Sequence, residues 1–170
     1  SAITNTDYRR QFGEAFAPGT KLYDNIGQFF KVGTSTTHNL SFESGTETTS
    51  YRLSLSNLKQ DGVTPNTSYN RLNASLNATA KISPKFKSEG TLSFTKSENQ
   101  KASKGGSGGL TGSNGYLLTL LGWPQDDNVL DYLNTDGSRR KITSGALDTE
   151  TDNPFWDVKK NLSEDFNNRF

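Results

Sequence analysis

Between residues 72 and 82 the chain alternates without a break. Leu72, Ala74, Leu76, Ala78, Ala80 and Ile82 are apolar, while Asn73, Ser75, Asn77, Thr79 and Lys81 are polar. A period of two is the pattern of a β-strand with one dry face and one wet face. A run of this length, at about 3.3 Å per residue and a tilt of about 40°, spans about 25 Å, the apolar height of an outer-membrane barrel. Strands of soluble sheets are usually about half as long.

A partner follows directly. Phe86, Ser88, Gly90, Leu92 and Phe94 share one face, and Lys87, Glu89, Thr91, Ser93 and Thr95 the other. A three-residue connection, Ser83-Pro84-Lys85, sets Ile82 opposite Phe86, Ala78 opposite Gly90, Leu76 opposite Leu92 and Ala74 opposite Phe94. A plain two-residue turn would slip the register by one residue and mix the faces. Pro84 falls in the turn, where its missing N–H interrupts no ladder bond. Upstream, residues 38–44 and 50–58 form a second hairpin, with Leu40 facing Leu55 and Phe42 facing Leu53 across the turn at 45–48. Leu58 breaks the parity of its strand, so a bulge is expected near Asn57.

These strands set the segment boundaries: an external loop and strand entry over 1–37, four antiparallel strands over 38–95, and a long external loop over 96–170 leading to the next strand. Residues 1–33 read as a structured loop, with room for a short helix around 7–16 that Pro18-Gly19 ends. The stretch after Thr95 is rich in Gly, Ser, Lys and Asn, and Gly105-Gly106-Ser107-Gly108-Gly109 reads as a flexible native loop. Residues 117–121 are expected as one helical turn closed by Gly122-Trp123-Pro124, and the remainder shows no strand period. Barrels of the outer membrane carry short periplasmic turns and long external loops. The turns at 45–48 and 83–85 are therefore assigned to the periplasm, and the connections at 59–68 and after 96 to the exterior. Four strands do not close a barrel, so the expectation is a fragment of a larger one.

Composition narrows the function classes. Apolar residues make up 30% of the chain, which is little for a closed soluble core. No apolar run approaches the length of a transmembrane helix. Nineteen basic against eighteen acidic residues give a net charge of +1, so nothing favours nucleic acid as a partner. Cysteine is absent and His38 is the single histidine, which leaves no thiolate or histidine set for a metal and no acyl-transfer triad. Asp126, Asp127 and Asp131 lack the spacing of a calcium loop, and the glycine tract lacks the lysine and helix start of a phosphate cradle. No enzyme chemistry, cofactor or metal is expected. The residues marked as candidate binding positions are Trp123, Asp127, Tyr132, Phe155 and Trp156, because aromatics on polar loops stack on sugars or anchor partners. The competing use of those rings is to pack the loop against itself. Arg52, Arg71, Asn73 and Asn77 are assigned to the lumen face.

Several landmarks occur together in one order: Phe29-Phe30-Lys31-Val32-Gly33, His38-Asn39-Leu40-Ser41-Phe42-Glu43-Ser44-Gly45, Thr49-Ser50-Tyr51-Arg52-Leu53-Ser54-Leu55, then Gln60-Asp61-Gly62-Val63-Thr64-Pro65-Asn66-Thr67 and Arg71-Leu72-Asn73. Asp131-Tyr132, Asp136-Gly137, Asn153-Pro154-Phe155-Trp156 and Asn168-Arg169-Phe170 follow. Over residues 23–170 this resembles the early barrel of the SusC/RagA-like TonB-dependent transporters. The resemblance implies an all-β protein of the bacterial outer membrane, a transmembrane antiparallel barrel of about 22 strands with a plug. It further implies a SusD-like surface lipoprotein as partner, TonB engaged through an N-terminal part this sequence lacks, lipid around the barrel, and oligosaccharide or peptide as the imported solute. The glycine tract is richer than that pattern. A soluble antiparallel β carbohydrate-binding module also explains alternation and exposed aromatics, but not the hairpin length or the small outer face.

Overall fold

The computed structural model describes residues 15–102, 115–144 and 149–170. The glycine tract lies outside them, as does the expected helix at 7–16 apart from Ala15 and Phe16, which are not helical. The described residues fall into two compact units, one formed by 33–62, 67–100 and 164–170, the other by the N-terminal stretch to Val32, Val63–Asn66 and Lys101–Ser163.

The first unit is one antiparallel sheet. Its strands are β1 (Thr34–Gly45), β2 (Thr49–Asp61), β3 (Ser68–Ser83) and β4 (Phe86–Ala102), joined by β7 (Leu162–Arg169), in the order β1-β2-β3-β4-β7. Leu40 pairs with Leu55 and Phe42 with Leu53; Leu76 pairs with Leu92, Ala74 with Phe94 and Ala78 with Gly90, all as the alternation requires. For β7, Gln100 bonds Glu164 and Phe94 packs on Phe170, so the two strands run in opposite directions. Among the described residues the sheet is open, with β1 and β7 at its edges.

Four expectations are corrected. The turn after β3 is the two-residue Pro84-Lys85, because Ser83, not Ile82, pairs with Phe86. The slip this would cause is absorbed by a register shift between Lys81 and Ser83, a bulge that leaves Ile82 as the extra residue and keeps both faces unmixed. No bulge occurs near Asn57, since the β1–β2 and β2–β3 registers run unbroken past it. Leu58 simply points with Arg52, Ser54 and Ser56. Third, β4 continues to Ala102, because Lys96 to Gln100 find backbone partners from Leu72 down to Ser68. Ladder bonds hold this polar stretch, whatever its side chains. Fourth, the sheet has a fifth strand, in the tract that carries no obvious period.

The tight turns are built from hydroxyls and close approaches. At the β1–β2 turn Thr46 N donates to Thr49 O at 2.6 Å, and Thr46 Oγ1 accepts from the amides of Thr48 and Thr49. Gly45 is needed there: a Cβ would stand 2.7 Å from Thr49 O.

The second unit has its own small core of Phe29, Ala102, Tyr116, Leu120, Trp123, Val129 and Val158. Three short helices contribute to it: α1 (Asn25–Phe29), α2 (Gly115–Leu121) and α3 (Pro154–Lys160). Asp24 caps α1 by accepting from Gly27 N. Asn153 caps α3, Pro154 occupies the first turn where its missing N–H is no loss, and Lys159 and Lys160 lie at the negative end. A two-stranded ribbon, β5 (Lys141–Ser144) with β6 (Thr149–Asp152), completes the unit.

Candidate functional site

The sheet presents two chemically opposite faces. On one, the cross-strand rows are Leu40–Leu55–Ala74–Phe94, Phe42–Leu53–Leu76–Leu92 and Tyr51–Ala78–Gly90. The described residues do not cover this face: Leu40 is 53% exposed, Phe42 54% and Leu92 72%. Uncovered contiguous apolar area of this extent marks a surface that meets another apolar phase or partner. On the other face the rows are Asn39–Ser56–Asn73–Thr95, Ser41–Ser54–Ser75–Ser93 and Glu43–Arg52–Asn77–Thr91. Ser56 Oγ donates to Asn39 Oδ1 at 2.7 Å and Thr91 Oγ1 to Asn77 Oδ1 at 2.9 Å, so the polar groups form short cross-strand links. Arg52, Arg71, Asn73 and Asn77 share this face, as the alternation predicts.

Register places Thr34, Asp61, Ser68 and Gln100 together at one end of the sheet, and the turns at 46–48 and 84–85 at the other. Val63–Asn66, the short β2–β3 connection, is tied into the second unit. Lys31 N donates to Val63 O at 2.9 Å, Thr64 Oγ1 and Tyr116 OH are bonded at 3.0 Å, and Asn66 Nδ2 donates to Val158 O at 3.1 Å. Asn66 takes a φ of 58°, a left-handed conformation that asparagine tolerates.

Within that unit the five candidate residues separate into different roles. Trp123 is only 2% exposed and belongs to the core. Its indole Nε1 is buried and has no hydrogen-bond partner among the described residues. One side of the indole borders a cavity of about 410 Å³, also lined by Leu22, Tyr23, Ile26, Leu121 and Gln125. Tyr132 and Phe155 come together, stacked with ring centroids 6.2 Å apart, and Phe155 in turn packs 4.9 Å from Phe29. Lys159 Nζ sits 4.1 Å over the Tyr132 ring and donates to its hydroxyl. Trp156 stands apart, with Lys160 5.7 Å over its ring. Asp127 is half of a forked ion pair: Arg140 Nη1 donates to Oδ1 at 2.9 Å and Nη2 to Oδ2 at 2.7 Å. The same Nη1 reaches Asp131 O, so one guanidinium joins three stretches of loop. The hydrogen bonds that Arg140 donates to Asp127 hold the Arg140 pKa above the ordinary arginine value. Among the described residues no group of three or more His, Cys, Asp or Glu side chains is placed to hold a metal.

Two buried asparagines organise this unit and were not singled out from the sequence. Asn25 Nδ2 donates to Pro124 O and Asp127 O, both at 2.9 Å, and its Oδ1 accepts from Val129 N at 3.0 Å. Asn153 is treated below. The pair Asn153-Pro154 carried a legible signal, a cap followed by proline at the first helical position. Asn25 carried none, because its partners lie about a hundred residues away.

Comparison with protein-family models and with curated proteins finds no match to this chain. No helix among the described residues is long and apolar enough to cross a membrane, a statement that does not bear on strands.

Proposed function

We propose that this chain contributes consecutive membrane strands and their external loops to an outer-membrane β-barrel transporter of the SusC-like type. The observation that carries the reading is the two-faced sheet: a bare apolar belt at mid-height on one side, hydroxyls and amides at the same height on the other. A lipid-facing outside and a water-filled inside impose that division on a barrel wall. Open edges at β1 and β7 support the same reading, because in a barrel they pair with further strands. So does the gathering of the longer loops at one end, which this reading places outside the cell. A soluble module would have to cover its apolar face, and the described loops build a core of their own.

In this role the polar face, with Arg52, Arg71, Asn73 and Asn77, lines the lumen against plug or hydrated solute. The loop unit supplies part of the external surface, where a SusD-like lipoprotein would cap the barrel and oligosaccharide or peptide would enter. Energy would come through TonB, acting on a part of the protein outside this chain. The chain itself performs no catalysis in this scheme.

Cysteine labelling tests the proposal cleanly, since the chain has no native cysteine. Single cysteines at Ala74, Ala78, Ser75 and Asn77 are placed in the protein inserted in outer-membrane vesicles. A lipid-soluble maleimide should label 74 and 78, and a water-soluble one 75 and 77. Equal aqueous labelling at all four, or a monodisperse detergent-free monomer, would overturn the membrane assignment in favour of the soluble carbohydrate-binding module.

A further inference from the structure

We draw no further inference here: the strongest candidate, the cavity of about 410 Å³ between residues 22–26 and the turn at 120–125, is lined by Tyr23, Asp24, Asn25 and Gln125 as well as by apolar side chains, and nothing in the structure shows what covers it.

Discussion

Asn153 and Val129 are both fully buried and joined by one hydrogen bond, from Asn153 Nδ2 to Val129 O at 2.8 Å. The same side chain accepts from Phe155 N at 2.8 Å, so one amide caps α3 and ties it to the loop before the 131–140 turn. Asn153→Asp keeps the cap acceptor and loses the donor, while Asn153→Ala loses both. Losing a cap costs about 1 kcal/mol, and leaving a buried carbonyl unpaired about 1–3 more. Denaturant unfolding of the protein, read from tryptophan emission, should rank wild type above both variants, with Ala losing at least about 2 kcal/mol (roughly the sum of those terms). An Asn153→Ala variant as stable as wild type would remove this bond from the account of the loop unit.

The Asp127–Arg140 fork should behave as a coupled pair of modest strength. Both side chains are partly exposed, at 23% and 32%, so solvent and salt discount the attraction. A double-mutant cycle with Asp127→Asn and Arg140→Gln should give a coupling of about 1 kcal/mol at low salt, shrinking at high salt. Arg140→Lys should keep only part of the coupling, because an ammonium retains the charge but cannot reproduce two parallel bonds. Zero coupling would mean that the geometry contributes no stability.

Much of the sheet was legible because side chains alternate on a strand whether or not anything is known of its neighbours. The pairing of Leu76 with Leu92 follows from parity alone. Strand ends were not legible, since Lys96 to Gln100 are strand through backbone bonds that their side chains do not advertise. A next strand was expected after the long loop, but the span of β7 from Leu162 was missed for a related reason: Phe166 and Phe170 keep the apolar parity, but Glu164 and Asn168 stand at the positions between them. The loop unit was the least legible. Its rings were visible as candidates, yet Trp123 and Phe155 turned inward because Phe29, Tyr116 and Val158 arrive from distant segments, and no local pattern encodes that meeting.

Trp123 makes a test of orphaned polarity. Its buried Nε1 finds no acceptor among the described residues, and an unpaired donor costs about 1–3 kcal/mol relative to a paired one. Trp123→Phe removes that donor along with part of the ring volume. The two effects oppose, so the variant should unfold within about 1 kcal/mol of wild type. Trp123→Ala, which removes the donor too but opens a far larger cavity, should lose about 3–5 kcal/mol. A loss for Trp123→Phe well above about 1 kcal/mol would show that the indole N–H has a partner in solution.

Asp136 predicts a local effect of pH. The Ser138 hydroxyl, and then the Ser138 amide, donate to its carboxylate and hold its pKa below the ordinary value. A depressed folded pKa adds stability above the unfolded value, lost as pH falls through the folded one. The turn at 134–138 should therefore stay ordered at neutral and mildly acid pH. It should loosen only below the ordinary aspartate pKa of about 3.9. Amide chemical shifts of Gly137 and Ser138 followed by NMR would report this. Asp136→Asn should abolish the acid transition, and a transition of the same midpoint in that variant would reassign it to another group.

The strongest test of the two-faced sheet compares adjacent residues on one strand. Ala78 lies in the row Tyr51–Ala78–Gly90, and Asn77 in the row Arg52–Asn77–Thr91 on the opposite face. If the first row faces acyl chains near mid-bilayer, Ala78→Arg should destabilise the assembled barrel by about 2–4 kcal/mol. Asn77→Arg places the same side chain in a hydrated lumen and should cost well under half as much. Its main penalty is the lost bond from Thr91 Oγ1, together with the nearness of Arg52. Refolding titrations into vesicles of matched thickness give both numbers on one scale. Because the two variants share backbone, strand and added charge, intrinsic strand propensity largely cancels between them, leaving the environment of each face. Equal penalties at the two positions would mean that neither face meets lipid, and the apolar belt would then need a protein partner to cover it.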